Sequence, residues 1–315
     1  MRLRMPRPSL DIDHPAASVG GGYPRPPMSR RRRVARRTVA VLPTLFTLSN
    51  LLCGFAAIFA ASRPPQAQLP FDWTPLTFAA IFIFLGMLMD GLDGRIARLT
   101  RSTSGLGEQL DSMADMVTFG IAPAFLAVQL VRVDLPYAAQ SAAQDSYFDR
   151  IAFVVACIYV ACAALRLARF NLELGAADDP GHNHFKGLPS PGAAGTVASL
   201  ALLHQHLFAR QMLHDPFESW PVTLAAVGMV AIMLLAALAM VSQFRYVHLV
   251  NRYVRGRAPV GTLAKAIAVG LLLLVHPQGA LAAVFALYAI SAPAASLYRR
   301  FRGAGNRNKR PAALV

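Results

Sequence analysis

The sequence predicts an all-α, polytopic membrane bundle of about eight transmembrane helices with both termini in the cytoplasm. Three observations predict it. Of 315 residues, 55% are hydrophobic and 15% charged, against roughly 25% charged in soluble globular chains. The chain nevertheless carries a formal net charge of +15. Its apolar residues also gather into runs close to the ~20 residues that cross a bilayer. A basic disordered tail for nucleic acid would not be this apolar, so nucleic acid is not an expected partner. Few charges, mostly positive and placed between apolar runs, fit a membrane protein with a basic cytoplasmic edge.

Residues 1–37 are rich in Pro, Gly and Arg and lack apolar periodicity, which predicts a disordered basic cytoplasmic arm. The first apolar run is long and holds Ser49 and Asn50, which argues against a cleaved targeting signal. Spans are expected at about 38–61, 73–90, 110–131, 150–167, 189–209, 219–242, 260–276 and 279–298. Arg30 to Arg33, Arg36 and Arg37 sit immediately before the first of them, which places the N-terminus in the cytoplasm. Eight crossings return the C-terminus to the same side, where 299–315 form a second basic segment. Trp73 and Trp220 then fall at far-side span ends, where indoles favour the interface. Cys53, Cys157 and Cys162 lie in apolar runs, an odd number with no zinc spacing and no disulfide pattern.

The chemistry concentrates between Met89 and Ala124, where five of the sixteen acidic residues lie. Asp90 and Asp93 are three apart, and Asp111 and Asp115 four apart. Either spacing puts a pair on one helical face. The first pair closes one span and the second opens the next, so antiparallel helices bring them together at the cytoplasmic boundary. Four carboxylates so placed cannot all stay ionised without counter-charge. Divalent Mg²⁺ or Mn²⁺ supplies it through hard oxygen ligands. Gly94, Ala97 and Gly107 leave the backbone open to a ligand or a neighbouring helix, and Arg98 can reach a phosphate. Physical chemistry alone therefore reaches a two-metal, phosphate-handling site at a membrane face.

Asp90-x2-Asp93-Gly94-x2-Ala97-Arg98-x8-Gly107-x3-Asp111-x3-Asp115 resembles the complete signature of the CDP-alcohol phosphatidyltransferases. The resemblance implies that 38–298 form the transmembrane catalytic domain. It implies that Asp90, Asp93, Asp111 and Asp115 bind two divalent cations, with Asp115 also the general base. It places Gly94, Ala97, Arg98 and Gly107, with Thr47 and Asn50, around the CDP moiety. A homodimer and a bacterial inner-membrane location with the active site facing the cytoplasm are implied too.

The signature does not choose the acceptor. DSMADMVTFGIAPA at 111–124, LFTLSNLLCGFAAI at 45–58, ALRLARFNLE at 164–173 and FKGLPSPGAAG at 185–195 resemble the membrane-embedded class of phosphatidylserine synthases. CDP-diacylglycerol and L-serine are the substrates this implies. Arg166 and Arg169 share a helical face, and Asn171 and Lys186 lie nearby in sequence. Basic groups there could hold a serine carboxylate or the donor phosphates. Inositol, glycerol phosphate and choline remain alternative acceptors. An intramembrane prenyltransferase would place its aspartates on well-separated helices, and a cation-coupled transporter would place carboxylates near mid-bilayer.

Overall fold

A computed structural model describes residues 30–65, 67, 69–70, 73–100, 105–138, 142–175, 187–208, 220–244, 246 and 270–307. The packing considered below is that of the compact unit Val39–Val315. Helices α1 (Arg30–Ala61), α2 (Pro75–Thr100) and α3 (Gly105–Asp115) come first. A π-helical turn over Met116–Ile121 then leads into α4 (Ala122–Ala138). Next come α5 (Ala142–Gly175), α6 (Ser190–Phe208), α7 (Trp220–Val241) and α8 (Pro277–Arg307). No strand occurs among the described residues.

Six helical stretches are long and apolar enough to cross a membrane: Thr44–Ala61, Pro75–Ile96, Gly105–Val133, Tyr147–Leu172, Trp220–Val241 and Pro277–Ser296. They match six of the eight expected spans. Where the fifth span is expected lies the helix α6, which is not among the six, for a physical reason. Thirteen of its nineteen residues are buried by neighbouring helices. A helix surrounded by protein needs small residues for close packing rather than bulky ones for lipid. The expected seventh span falls largely outside the described residues, with only 270–275 helical there. The first helix begins at Arg30, eight residues before the expected span, because arginine extends a helix readily.

The bundle is patterned for lipid. On α1, Leu45, Leu48, Leu52, Phe55 and Phe59 are exposed, while Thr47, Asn50, Ala57 and Ala61 point inward. On α7 the buried stripe is Val222, Ala226, Met229, Met233, Ala236, Ala237 and Met240, with Leu224, Leu235 and Leu238 outside. Large apolar residues facing outward, with alanines among the inward ones, suit association in hydrocarbon. This is an integral membrane protein. Helix α6 packs against α2, α7 and α8, and α5 against α4 and α7.

At Pro123 and Pro293 the helical ladder is interrupted, and at each a tyrosine supplies the missing donor. Pro123 has no N–H for the carbonyl of Phe119, which takes the Tyr159 hydroxyl at 3.2 Å. Pro293, inside α8, likewise cannot serve Ala289, whose carbonyl takes the Tyr246 hydroxyl at 3.0 Å. Without water in the bilayer, such carbonyls need protein donors. At the end of the bundle opposite the aspartates, Trp73 packs on Phe78 and Arg132 pairs with Asp149 at 2.6 Å. Cys53, Cys157 and Cys162 are free thiols.

Candidate active site

The C-terminal part of α2 carries Asp90 and Asp93, and α3 carries Asp111 and ends on Asp115. Carboxylate oxygens of Asp90, Asp111 and Asp115 lie within 4.8 Å of one another, and all three residues are partly buried. The expected fourth member, Asp93, is 7% exposed and accepts a hydrogen bond from the Thr47 hydroxyl of α1. It stays within electrostatic reach of Asp90 and Asp111. The sequence pairs therefore converge as three plus one. Among the described residues, none of these four forms a salt bridge. A close, oxygen-only set of carboxylates without a bonded cationic side chain suits Mg²⁺ or Mn²⁺.

Helix α1 holds this group in place. The Asn50 side chain, fully buried, donates from Nδ2 to Asp115 Oδ1 at 3.1 Å. The Thr118 hydroxyl, on the π turn just after Asp115, donates to the Asn50 carbonyl at 2.8 Å. That contact requires glycines. A Cβ at Gly54 would stand 2.5 Å from Thr118 Oγ1, and one at Gly86 would stand 2.5 Å from Thr118 Cγ2 and 3.0 Å from Asn50 Oδ1. Three elements thus interlock behind Asp115. Thr47 and Asn50, expected at the nucleotide, are both hydrogen-bonded to the aspartates. Thr118 was missed, because a π turn has no simple sequence period.

The signature glycine Gly94 behaves differently. Nothing described lies within 4 Å of a Cβ built there, nor at Gly91 or Gly105. These glycines open space beside the carboxylates, whereas Gly54 and Gly86 close it. Gly107 is half-buried on α3. Ala97 and Arg98 lie on α2, with side chains outside the described set.

Arg166, on α5, donates from Nη1 to Ser190 Oγ at 2.6 Å, at the first turn of α6, and interacts electrostatically with Asp115. Asn171 exchanges hydrogen bonds with Ser112 at 3.0 and 3.3 Å, next to Asp111. Arg169 is half-buried on the same helix, three residues from Arg166. Lys186 lies outside the described residues. The segment after it is firmly built: Gly187, at φ +92°, donates to the Phe244 carbonyl at 2.8 Å, and Leu188 donates to the Ala239 carbonyl at 2.9 Å. A side chain at Gly187 would meet Met240 O at 2.3 Å, so glycine is required twice over.

Residues 40–215 match the family described as CDP-alcohol phosphatidyltransferase, more than half of the chain. A protein named CDP-diacylglycerol–serine O-phosphatidyltransferase from Helicobacter pylori is 34% identical over 163 residues, 52% of this chain and 58% of its own length. Proteins of the same name from Bacillus subtilis and Saccharomyces cerevisiae are 31% and 37% identical. Those matches cover 52% and 49% of this chain, and 76% and 51% of the relatives. The chain thus spans little more than half the length of most of these relatives.

Proposed function

The chain belongs to the CDP-alcohol phosphatidyltransferase family, and we propose that it transfers the phosphatidyl group of CDP-diacylglycerol to the hydroxyl of L-serine, giving phosphatidylserine and CMP. The observation that carries this reading is the convergence of Asp90, Asp111 and Asp115 within 4.8 Å at adjoining helix ends. The names of the matched relatives support serine as the acceptor. Asp90, Asp111 and Asp115, with Asp93 beside them, would hold the two divalent cations of the family, which supply charge neutralisation at the diphosphate and the departing CMP.

The chain's own residues account for the rest. The serine Oγ forms a bond to the lipid-side phosphorus while the bond from that phosphorus to the oxygen of CMP breaks. The hydroxyl proton passes to Asp115, whose carboxylate Asn50 holds in one orientation. Arg166, fixed by Ser190, together with Arg169, Asn171 and Lys186, would receive the serine carboxylate or donor phosphates. Gly94, Ala97, Arg98 and Gly107 would flank the CDP moiety, in the space left open at Gly94. The acyl chains stay in the leaflet while CDP and serine arrive from water. That favours a bacterial inner membrane with the aspartates on the cytoplasmic side, as the arginines at the start of α1 also do. A homodimer, implied by the family resemblance, belongs to the same reading.

The test is CMP release from CDP-diacylglycerol by the purified full chain with Mg²⁺ or Mn²⁺, offered serine, inositol, glycerol phosphate or choline in parallel. Serine alone should drive rapid release and appear in the lipid product. Preference for another alcohol would overturn the acceptor, and no CMP with any of them would overturn the transferase.

A further inference from the structure

Away from the carboxylates, α6, α7 and α8 enclose an apolar groove of about 530 Å³. That volume is within the range of small-molecule sites. Its walls include Leu200, Ile232, Leu235, Ala239, Ala286 and Ile290. Leu235, Leu238 and Ile290 are exposed at its lip, so it opens sideways from the bundle. The groove exists because alanines stand where bulk would fill it: Ala236 and Ala239 on α7, and Ala286 and Ala289 on α8. Elsewhere the same α6–α8 contact is closed by rings, with Phe285 over Gly195 and Tyr288 over Gly192. Both α7 and α8 lie beyond the matched family region.

Two features identify what fits. The first is depth. From Ile232 to Ser242 the lining of α7 rises about 15 Å, half of the ~30 Å hydrocarbon core. The groove therefore has the depth of one leaflet. The second is continuity with the reaction site. Ala239 and Phe244 line the groove, and their carbonyls hold Leu188 and Gly187. Two residues later Ser190 holds Arg166, which interacts with Asp115. The few polar lining groups, Thr196 and Ser242, are side chains whose hydroxyls are already bonded to helix carbonyls, so the walls make no polar demand on an occupant. A ligand at once charged at Arg166 and apolar for the depth of one leaflet is a diacyl phospholipid.

We propose that this groove binds one acyl chain of the nucleotide-activated diacyl lipid donor, and so sets the length of chain the enzyme prefers. The inference rests on the transferase reading above, and adds a binding site built by α7 and α8. It implies that those helices take part in donor selection as well as in packing.

Two measurements test it on the full chain in detergent micelles. In the double variant Ala239→Leu/Ala286→Leu, the ratio of kcat/KM for dioleoyl over dihexanoyl CDP-diacylglycerol should fall about tenfold, the scale of an overpacked apolar contact. In the unsubstituted protein, a CDP-diacylglycerol carrying a diazirine within one acyl chain should label the peptides 232–244 and 286–293. Excess unlabelled CDP-diacylglycerol should suppress that labelling, and excess phosphatidylcholine should not. An unchanged ratio, labelling elsewhere, or labelling that phosphatidylcholine displaces equally well would each overturn the groove as a donor site. If neither donor releases CMP from the unsubstituted protein, the transferase reading fails instead, and the labelling still reports separately on the groove.

Discussion

The α1–α3 region and the α6–α8 region both rest on small residues, yet they use them for opposite ends. At the aspartates, Gly54 and Gly86 admit Thr118 and Asn50, so missing bulk draws polar groups together behind Asp115. Between α6 and α8, Gly192 and Gly195 admit the rings of Tyr288 and Phe285, so missing bulk seals apolar surface. In hydrocarbon, close approach of helices depends on small residues. What enters the gap decides whether the result is a reaction site or a wall. Arg166, on α5, links the two regions: it donates to Ser190 at the start of α6 and interacts electrostatically with Asp115 at the end of α3.

The largest expected effects lie in the polar region. Asp115→Asn should lower kcat by about 10²–10⁴, the range for removing a general base, while CDP-diacylglycerol still binds. Asp90→Asn should abolish turnover and also weaken Mn²⁺ binding, measured by electron paramagnetic resonance, because it removes one of three converging carboxylates. Near-normal turnover in Asp90→Asn would dismantle the metal site. Full turnover in Asp115→Asn would move the base elsewhere.

A smaller effect separates the glycines that close space from those that open it. Gly86→Val should destabilise the protein by about 1–3 kcal/mol through overpacking against Thr118 and Asn50, read as a lowered Tm in detergent. Gly94→Ala has nothing described within 4 Å to collide with, and in a helix it removes a glycine penalty of up to about 1 kcal/mol. Its Tm should hold or rise while activity falls, because the methyl occupies space intended for the nucleotide. Equal losses of Tm in both variants would erase the distinction.

These two regions were not equally legible in the sequence. Helix type and most span positions followed from apolar runs, and the aspartate pairs followed from spacings of three and four, since a helix turns those spacings into one face. Asp93 turning to Thr47 did not follow, because a helical face does not say which carboxylate a neighbouring helix will claim. Thr118 is hidden for a related reason. Its role depends on a π turn and on glycines 64 and 32 residues earlier, and no local pattern records that meeting. The fifth span was legible as a helix, but its burial was not. Small residues in α6 look merely less apolar until the neighbouring helices are seen packed around it.

The finest difference between the regions lies in the two tyrosines that cover proline-orphaned carbonyls. Tyr159→Phe leaves the Phe119 carbonyl, inside the turn that follows Asp115, without its hydroxyl donor. Tyr246→Phe does the same to Ala289, on the wall of the apolar groove. Each substitution deletes one hydrogen bond and almost no volume, so each should cost about 0.5–1.5 kcal/mol, seen as a modest fall in Tm. Their effects on catalysis should part. The Phe119 carbonyl belongs to the π turn that also carries Thr118, whose hydroxyl holds Asn50 and through it Asp115, so Tyr159→Phe should lower kcat as well. The Ala289 carbonyl holds no catalytic group, so Tyr246→Phe should leave kcat with serine near its original value. If Tyr246→Phe lowered kcat as far as Tyr159→Phe does, α8 would be coupled to the aspartates themselves and not only to the lipid beside them.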